Sequence, residues 1–197
     1  MKYLFASALV LVAAPVSAEV FNGPFVGVQA GWNHEKVGSV DSKVGALSIN
    51  DAKDTFVGGA FAGYDHTLAN RFVVGVEGGF NLGTGGTFAN AVRDSSSRIN
   101  PSYGFDLTAR AGVLLDPKTL VYVRGGYDTL RASVRLVDNA KVAGGHDNFD
   151  GWLAGGGIER AIGSNLSARF EYRYSDLAGS DGRFDRQQAL VGIAYHF

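Results

Sequence analysis

Residues 168–174 read Ala168-Arg169-Phe170-Glu171-Tyr172-Arg173-Tyr174, a run in which charged and apolar or aromatic side chains alternate without a break. Successive side chains of a β-strand point to opposite faces, so Arg169, Glu171 and Arg173 share one face and Ala168, Phe170, Tyr172 and Tyr174 the other. One such strand would suit an ordinary soluble sheet. The fold is decided by how often the pattern returns.

Working outward from this run, a loop near 175–186 leads to a last strand in which Ala189, Val191, Ile193, Tyr195 and Phe197 share a face. Upstream, the turn Ile162-Gly163-Ser164-Asn165 follows a strand that sets Trp152, Ala154 and Ile158 against Leu153, Gly155, Gly157 and Glu159. Before it, Val121, Val123 and Tyr127 oppose Tyr122, Arg124, Gly126 and Asp128, and Asp116-Pro117-Lys118 makes a tight turn. Phe105, Leu107, Ala109, Ala111 and Val113 oppose Asp106, Thr108, Arg110 and Gly112. Three further strands are expected at about 71–81, 55–64 and 25–33, with a reversal through Asp65 to Asn70. Stretches near 33–54, 82–101 and 130–149 read as long exposed loops. Short and long connections thus alternate along about eight strands, which predicts an all-β, eight-stranded, antiparallel, up-and-down transmembrane barrel.

The rings sort along the apolar face. Trp32, Phe56, Phe80, Phe105, Tyr127, Trp152 and Tyr174 fall near the long-loop ends, and Tyr64, Phe72, Tyr195 and Phe197 near the short turns. Two belts separated by Ala, Val, Leu and Gly are how rings distribute at the two water interfaces of a bilayer. The opposite face carries Glu77, Asp106, Arg110, Arg124, Asp128, Glu159, Arg169, Glu171 and Arg173, with Gln29 among them. In a ring this small those residues must cross the lumen, and the glycines of the same face leave them room. Four basic and five acidic residues can largely pair there, which predicts a filled interior.

Composition agrees. The chain has 28 glycines, 4 prolines, 12% aromatic residues and no cysteine, so turns are plentiful and disulfides are excluded. Residues 1–18 read as a secretory leader, with Lys2, an apolar run from Leu4 to Ala14 and small residues at Val16-Ser17-Ala18, placing cleavage between Ala18 and Glu19. No later apolar run reaches the roughly 20 residues of a membrane helix. Eighteen basic against 19 acidic residues give no reason to propose nucleic acid as a partner.

Leu107-Thr108-Ala109-Arg110-Ala111-Gly112, Val121-Tyr122-Val123-Arg124-Gly125-Gly126, Ala154-Gly155-Gly156-Gly157-Ile158-Glu159 and the run at 168–174 resemble the strands of OmpA-type eight-stranded barrels. The chain is most similar to the opacity-protein-like surface antigens and porin-family outer-membrane proteins of Gram-negative bacteria, over residues 24–197. That resemblance implies a bacterial outer-membrane location, periplasmic termini, extracellular long loops, and contact with lipid, lipopolysaccharide and the barrel assembly machinery. It also implies an assembly signal formed by Gly192, Tyr195 and Phe197, with Leu190 where a polar residue is common. Because the sequence ends at Phe197, a peptidoglycan-binding domain of the larger OmpA pattern is not expected.

Chemical motifs mostly fail. His34-Glu35 begins like a zinc-protease motif, but Gly38 stands where its second histidine would be. His146-Asp147-Asn148 offers no serine–histidine pair of the kind a hydrolase needs. Gly155-Gly156-Gly157 lacks the Lys-Ser/Thr that a phosphate loop requires, and Asn165-Leu166-Ser167 is a sequon in a turn. No catalytic residue, metal or cofactor is expected. The expected role is a structural, surface-exposed barrel. The alternatives are a loop-mediated adhesin or antigen that binds a host molecule or haem, for which His34 and His146 would have to meet, and a narrow, mostly closed pore.

Overall fold

The computed structural model describes the backbone of residues 20–37, 40–42, 45–47, 51–69, 71–84, 88–92, 95–138, 141–179 and 182–197, and side chains over most of the strand-forming part of these. The leader with its Ala18/Glu19 cleavage site, and the His146 side chain, lie outside the described residues.

Eight long strands make the wall: β1 (Gly23–Val37), β2 (Asp51–Leu68), β3 (Phe72–Thr84), β4 (Ser95–Asp116), β5 (Thr119–Asp138), β6 (Lys141–Ala161), β7 (Leu166–Gly179) and β8 (Gly182–His196). Each pairs antiparallel with its sequence neighbour, and β1 pairs with β8 from Phe25↔His196 to Val37↔Phe184, so the meander closes. The Phe197 N–H donates to the Pro24 carbonyl at 3.0 Å, extending that seam by one bond. Closure removes the unpaired edges that a lipid environment would not satisfy. Val40–Ser42 with Gly45–Leu47, and Phe88–Val92 against β4, add small ladders at the long-connection end.

Two expectations need correction. The stretch 130–149 is largely paired strand: β5 and β6 stay in register from Leu130↔Phe149 to Asp138↔Lys141, and β7 and β8 likewise run on to Gly179↔Gly182. The reversal expected from Asp65 is also later than its turn-forming residues suggested. β2 continues to Leu68, and Asp65 is fully buried. The faces themselves are as expected. Val28, Val76, Leu107, Val123 and Val191 point outward and are exposed, while the charged residues of the same strands point in.

At the short-turn end the chemistry is local. Asp116 accepts the Lys118 N–H at 2.7 Å and the Thr119 hydroxyl at 2.9 Å, which shapes the β4–β5 turn. Those contacts, the Lys118 N–H foremost, hold the Asp116 carboxyl below the usual carboxylate range. Asn165, the sequon residue, donates its amide to the His196 carbonyl at 2.8 Å and so fastens β8 to the β6–β7 turn. Gly23 sits at φ +130°, a conformation that an L side chain rarely adopts.

Candidate functional site

Among the described residues, buried polar chemistry concentrates in the lumen, and it is built in layers. Glycine makes it possible: a Cβ on Gly75 would strike the Asp65 carboxylate, one on Gly79 the Asp106 carboxylate, and one on Gly27 the Phe61 ring. Inward glycines of β1 and β3 therefore give space to the side chains directly beside them on the paired strands β2 and β4.

The short-turn end is closed by an apolar cap. Phe21, which precedes β1, folds under the barrel and packs with Val73, Leu114, Leu120 and Tyr122, and its ring meets His196 edge-on at 5.7 Å. The Thr67 hydroxyl donates to the Phe21 carbonyl at 2.9 Å and holds the segment there.

Above this cap, Arg110 is held by both oxygens of Asp65, with its Nε at 2.7 Å, and reaches Glu159 through Nη1 at 3.1 Å. Its guanidinium lies 4.5 Å from the Phe25 ring centre and 5.1 Å from that of Tyr122, so two aromatic faces complete its environment. Glu159 also accepts Ser167 Oγ at 2.6 Å and lies 3.2 Å from His196 Nε2. Ser167 Oγ and His196 Nε2 also lie 3.0 Å apart, so the three buried groups meet around one Glu159 oxygen and tie β6, β7 and β8 together.

Glu77 is the centre of the next layer. Arg124 and Arg169 each approach it at 2.7 Å, Arg110 at 3.7 Å and Arg173 at 3.9 Å. Glu171 accepts Arg124 at 3.1 Å and the Tyr122 hydroxyl at 2.5 Å, and is paired with Arg173. Asp106 accepts Arg124 at 2.8 Å and Asn81 at 3.0 Å. Gln29 joins the set, its carbonyl accepting Arg169 at 2.8 Å and Arg173 at 3.0 Å while its amide donates to Asn81 at 2.7 Å. Arg169 further stacks 3.4 Å over Phe61. Nearer the long hairpins, Asp128 accepts Ser175 at 2.7 Å and is paired with Arg186.

All nine charged residues expected in the lumen are thus buried there, and each has an opposite charge within reach. Three partners escaped the sequence reading. Asp65 and Arg186 lie in stretches taken for a turn and a loop, and His196 lies in the strand whose apolar face drew attention. Strand parity was the missed signal, because Phe61, Gly63, Asp65 and Thr67 continue one inward series.

On the outer face, Trp32, Phe56, Phe105, Tyr127 and Trp152 are exposed near the long-hairpin ends, with Phe80 and Tyr174 partly so. Tyr64, Phe72 and Tyr195 are exposed at the other end. Phe72 and Phe80 are eight residues apart, about 27 Å along a strand; a tilt of about 40° leaves about 20 Å along the axis, close to the apolar band of a barrel wall. Gly192 faces inward, whereas Tyr195 and Phe197 meet edge-on, ring centres 5.0 Å apart, at the short-turn end. His34 meets Asp54 at 2.7 Å, and no group of three or more metal-ligating side chains occurs among the described residues.

Comparison with known proteins agrees with this geometry. The chain is 32% identical over 188 residues to the 25 kDa outer-membrane immunogenic protein of Brucella canis, covering 90% of this chain and 78% of that one. It is 30% identical over 181 residues to the 31 kDa outer-membrane immunogenic protein of Brucella melitensis, covering 84% and 75%. Among solved structures, the Yersinia pestis attachment invasion locus protein Ail matches with a TM-score of 0.56 at 14% identity, over 89% of this chain and 99% of that one. Neisserial surface protein A matches at 0.55 and 18%, over 87% and 97%. The model of the outer membrane protein beta-barrel domain matches residues 4–197, and the chain belongs to that family of bacterial outer-membrane barrels.

Proposed function

We propose that the protein is a non-catalytic wall element of the outer membrane, a sealed barrel that displays long hairpins outside the cell and keeps both chain ends in the periplasm. The carrying observation is the lumen, where the inward charged side chains are paired with one another and the short-turn end is capped by Phe21. An interior committed to holding strands together leaves recognition to the segments beyond the belts, at 33–54, 82–101, 130–149 and 175–186. In this reading those hairpins contact host or neighbouring-cell molecules, while lipid and lipopolysaccharide surround the rings.

A tag inserted between residues 139 and 140 should be accessible to antibody on intact cells, and a tag between 163 and 164 should not. The reverse pattern would place the hairpins inside. Shortening 130–149 should then abolish capture of surface partners at unchanged barrel abundance, and undiminished capture would remove that hairpin from recognition.

Gly192, Tyr195 and Phe197 serve as the signal for the assembly machinery. Phe197→Ala should lower the amount inserted in the outer membrane far more than the stability of barrel refolded in detergent. Equal losses would assign the ring to packing alone.

A further inference from the structure

Among the described outward side chains, the two rims of the barrel carry opposite charge. At the long-hairpin rim the outward side chains Asp54, Asp150, Asp176 and Asp185 stand against Arg131. At the short-turn rim three cations lie on adjacent positions: Arg71 before β3, Lys118 in the β4–β5 turn and Arg160 near the end of β6. Their adjacency follows from the ladder, because Leu114 donates its N–H to the Arg71 carbonyl at 2.8 Å and Thr119 pairs with Arg160. Asp116 is the single exposed acidic side chain among the described residues of this arc. Its oxygens already accept the Lys118 N–H and the Thr119 hydroxyl, and Arg160 Nη1, 3.7 Å from Asp116, donates to the same hydroxyl at 2.6 Å, which leaves the other guanidinium nitrogens for a ligand.

Leu115 and Ile162 are exposed at the level of the turns, and above the cations Phe72, Val113, Val121 and Ile158 form one exposed apolar row across the outer wall. Beside Arg71 opens a groove of ≈ 440 Å³ lined by Val20, Phe21, Leu114, Leu115 and Pro117, with Asp116 at its edge. Cations at the polar boundary with an apolar slope directly above match a molecule that joins a phosphate to acyl chains. A guanidinium can grip such a phosphate with two parallel N–H donors, and an ammonium adds a point charge.

We propose that this arc, from Arg71 through Lys118 to Arg160, binds the phosphate headgroup of an anionic phospholipid, with an acyl chain against Phe72 and Leu115. The proposal rests on the reading that the short turns face the phospholipid leaflet. Its test has no sidedness. The full-length barrel is purified in detergent, offered phosphatidylglycerol and phosphatidylcholine in equal amounts, and weighed intact by native mass spectrometry.

Preferential retention of phosphatidylglycerol is expected. Arg71→Gln, Lys118→Gln and Arg160→Gln should each weaken it about fivefold, with heat-modifiable gel migration confirming a folded barrel. Arg131→Gln on the opposite rim should leave it unchanged. Equal retention of both lipids would overturn the site, as would an equal loss in the Arg131 variant. Displacement by excess inorganic phosphate would also overturn it, since that would define a simple anion site. Failure here would leave the placement of the hairpins, read independently by the tags, untouched.

Discussion

On the outer wall Val28, Leu107 and Val123 are between 63% and 67% exposed, whereas on the inner face of neighbouring strands Glu77, Glu171 and Arg173 are at most 1% exposed. A water-soluble barrel would be built the other way round, with its large aliphatic residues sheltered. The inversion shows that the two faces obey different rules. A wall residue acts through its solvent, the lipid chains, and its contribution depends on depth and hardly on its neighbour. A lumen residue acts through named partners, and its contribution depends on whether their charges remain matched.

The largest expected effect is therefore the loss of a hub. Glu77→Ala strands Arg124 and Arg169 without their shared carboxylate, and should destabilise the barrel by about 3–5 kcal/mol in urea unfolding from lipid vesicles. Pairing the change with Arg169→Ala in a double-mutant cycle should recover part of that loss. Strict additivity would mean that the two faces do not differ as described.

Next in size is a charge on the wall. Val123→Arg, midway along the lipid-facing part of β5 between the short turn and Tyr127, should cost about 2–4 kcal/mol in the same assay, and Ser164→Arg in an exposed turn almost nothing. Equal tolerance at the two positions would swap inside for outside.

Which of these rules could be read from the chain differs in the same way. The wall was legible because lipid imposes one demand, an apolar residue at every second position, and runs such as Phe105 to Val113 state it directly. Parity also named the inward residues. It could not say that Arg110 would choose Asp65 rather than Glu77, since partner choice depends on which strands face each other across the ring. Asp65 and Arg186 were passed over because Asp beside polar residues, and Arg in a Gly- and Asp-rich segment, also suit turns. Their inward parity alone marked them. Phe21 could not be placed from sequence, because a single ring ahead of the first strand carries no period.

Smaller effects sharpen the contrast at the ends of the barrel, where neither rule dominates. Gly23→Ala forces a side chain onto φ +130° and to 3.3 Å from the Phe197 carbonyl oxygen, and should cost about 1–2 kcal/mol, mostly through backbone strain. A change in midpoint no larger than that of Ser164→Ala would show that the backbone relaxes there. Asp116→Asn should be smaller still and visible mainly through pH. Its carboxyl is held below the ordinary range when folded, so its contribution is present above an unfolded value of about 3.9 and fades as pH falls through the lowered folded value. The gap between wild type and Asp116→Asn should close on acidification toward that folded value, and a gap that is constant with pH would assign the turn to shape rather than charge.

The most direct test of the sealed lumen is the current through single barrels in a planar bilayer. With the interior occupied from the Phe21 cap to the Asp128–Arg186 pair, the wild-type protein should give no steady conductance, only rare, small openings. Large, continuous, porin-like steps from the unmodified chain would contradict the filled barrel.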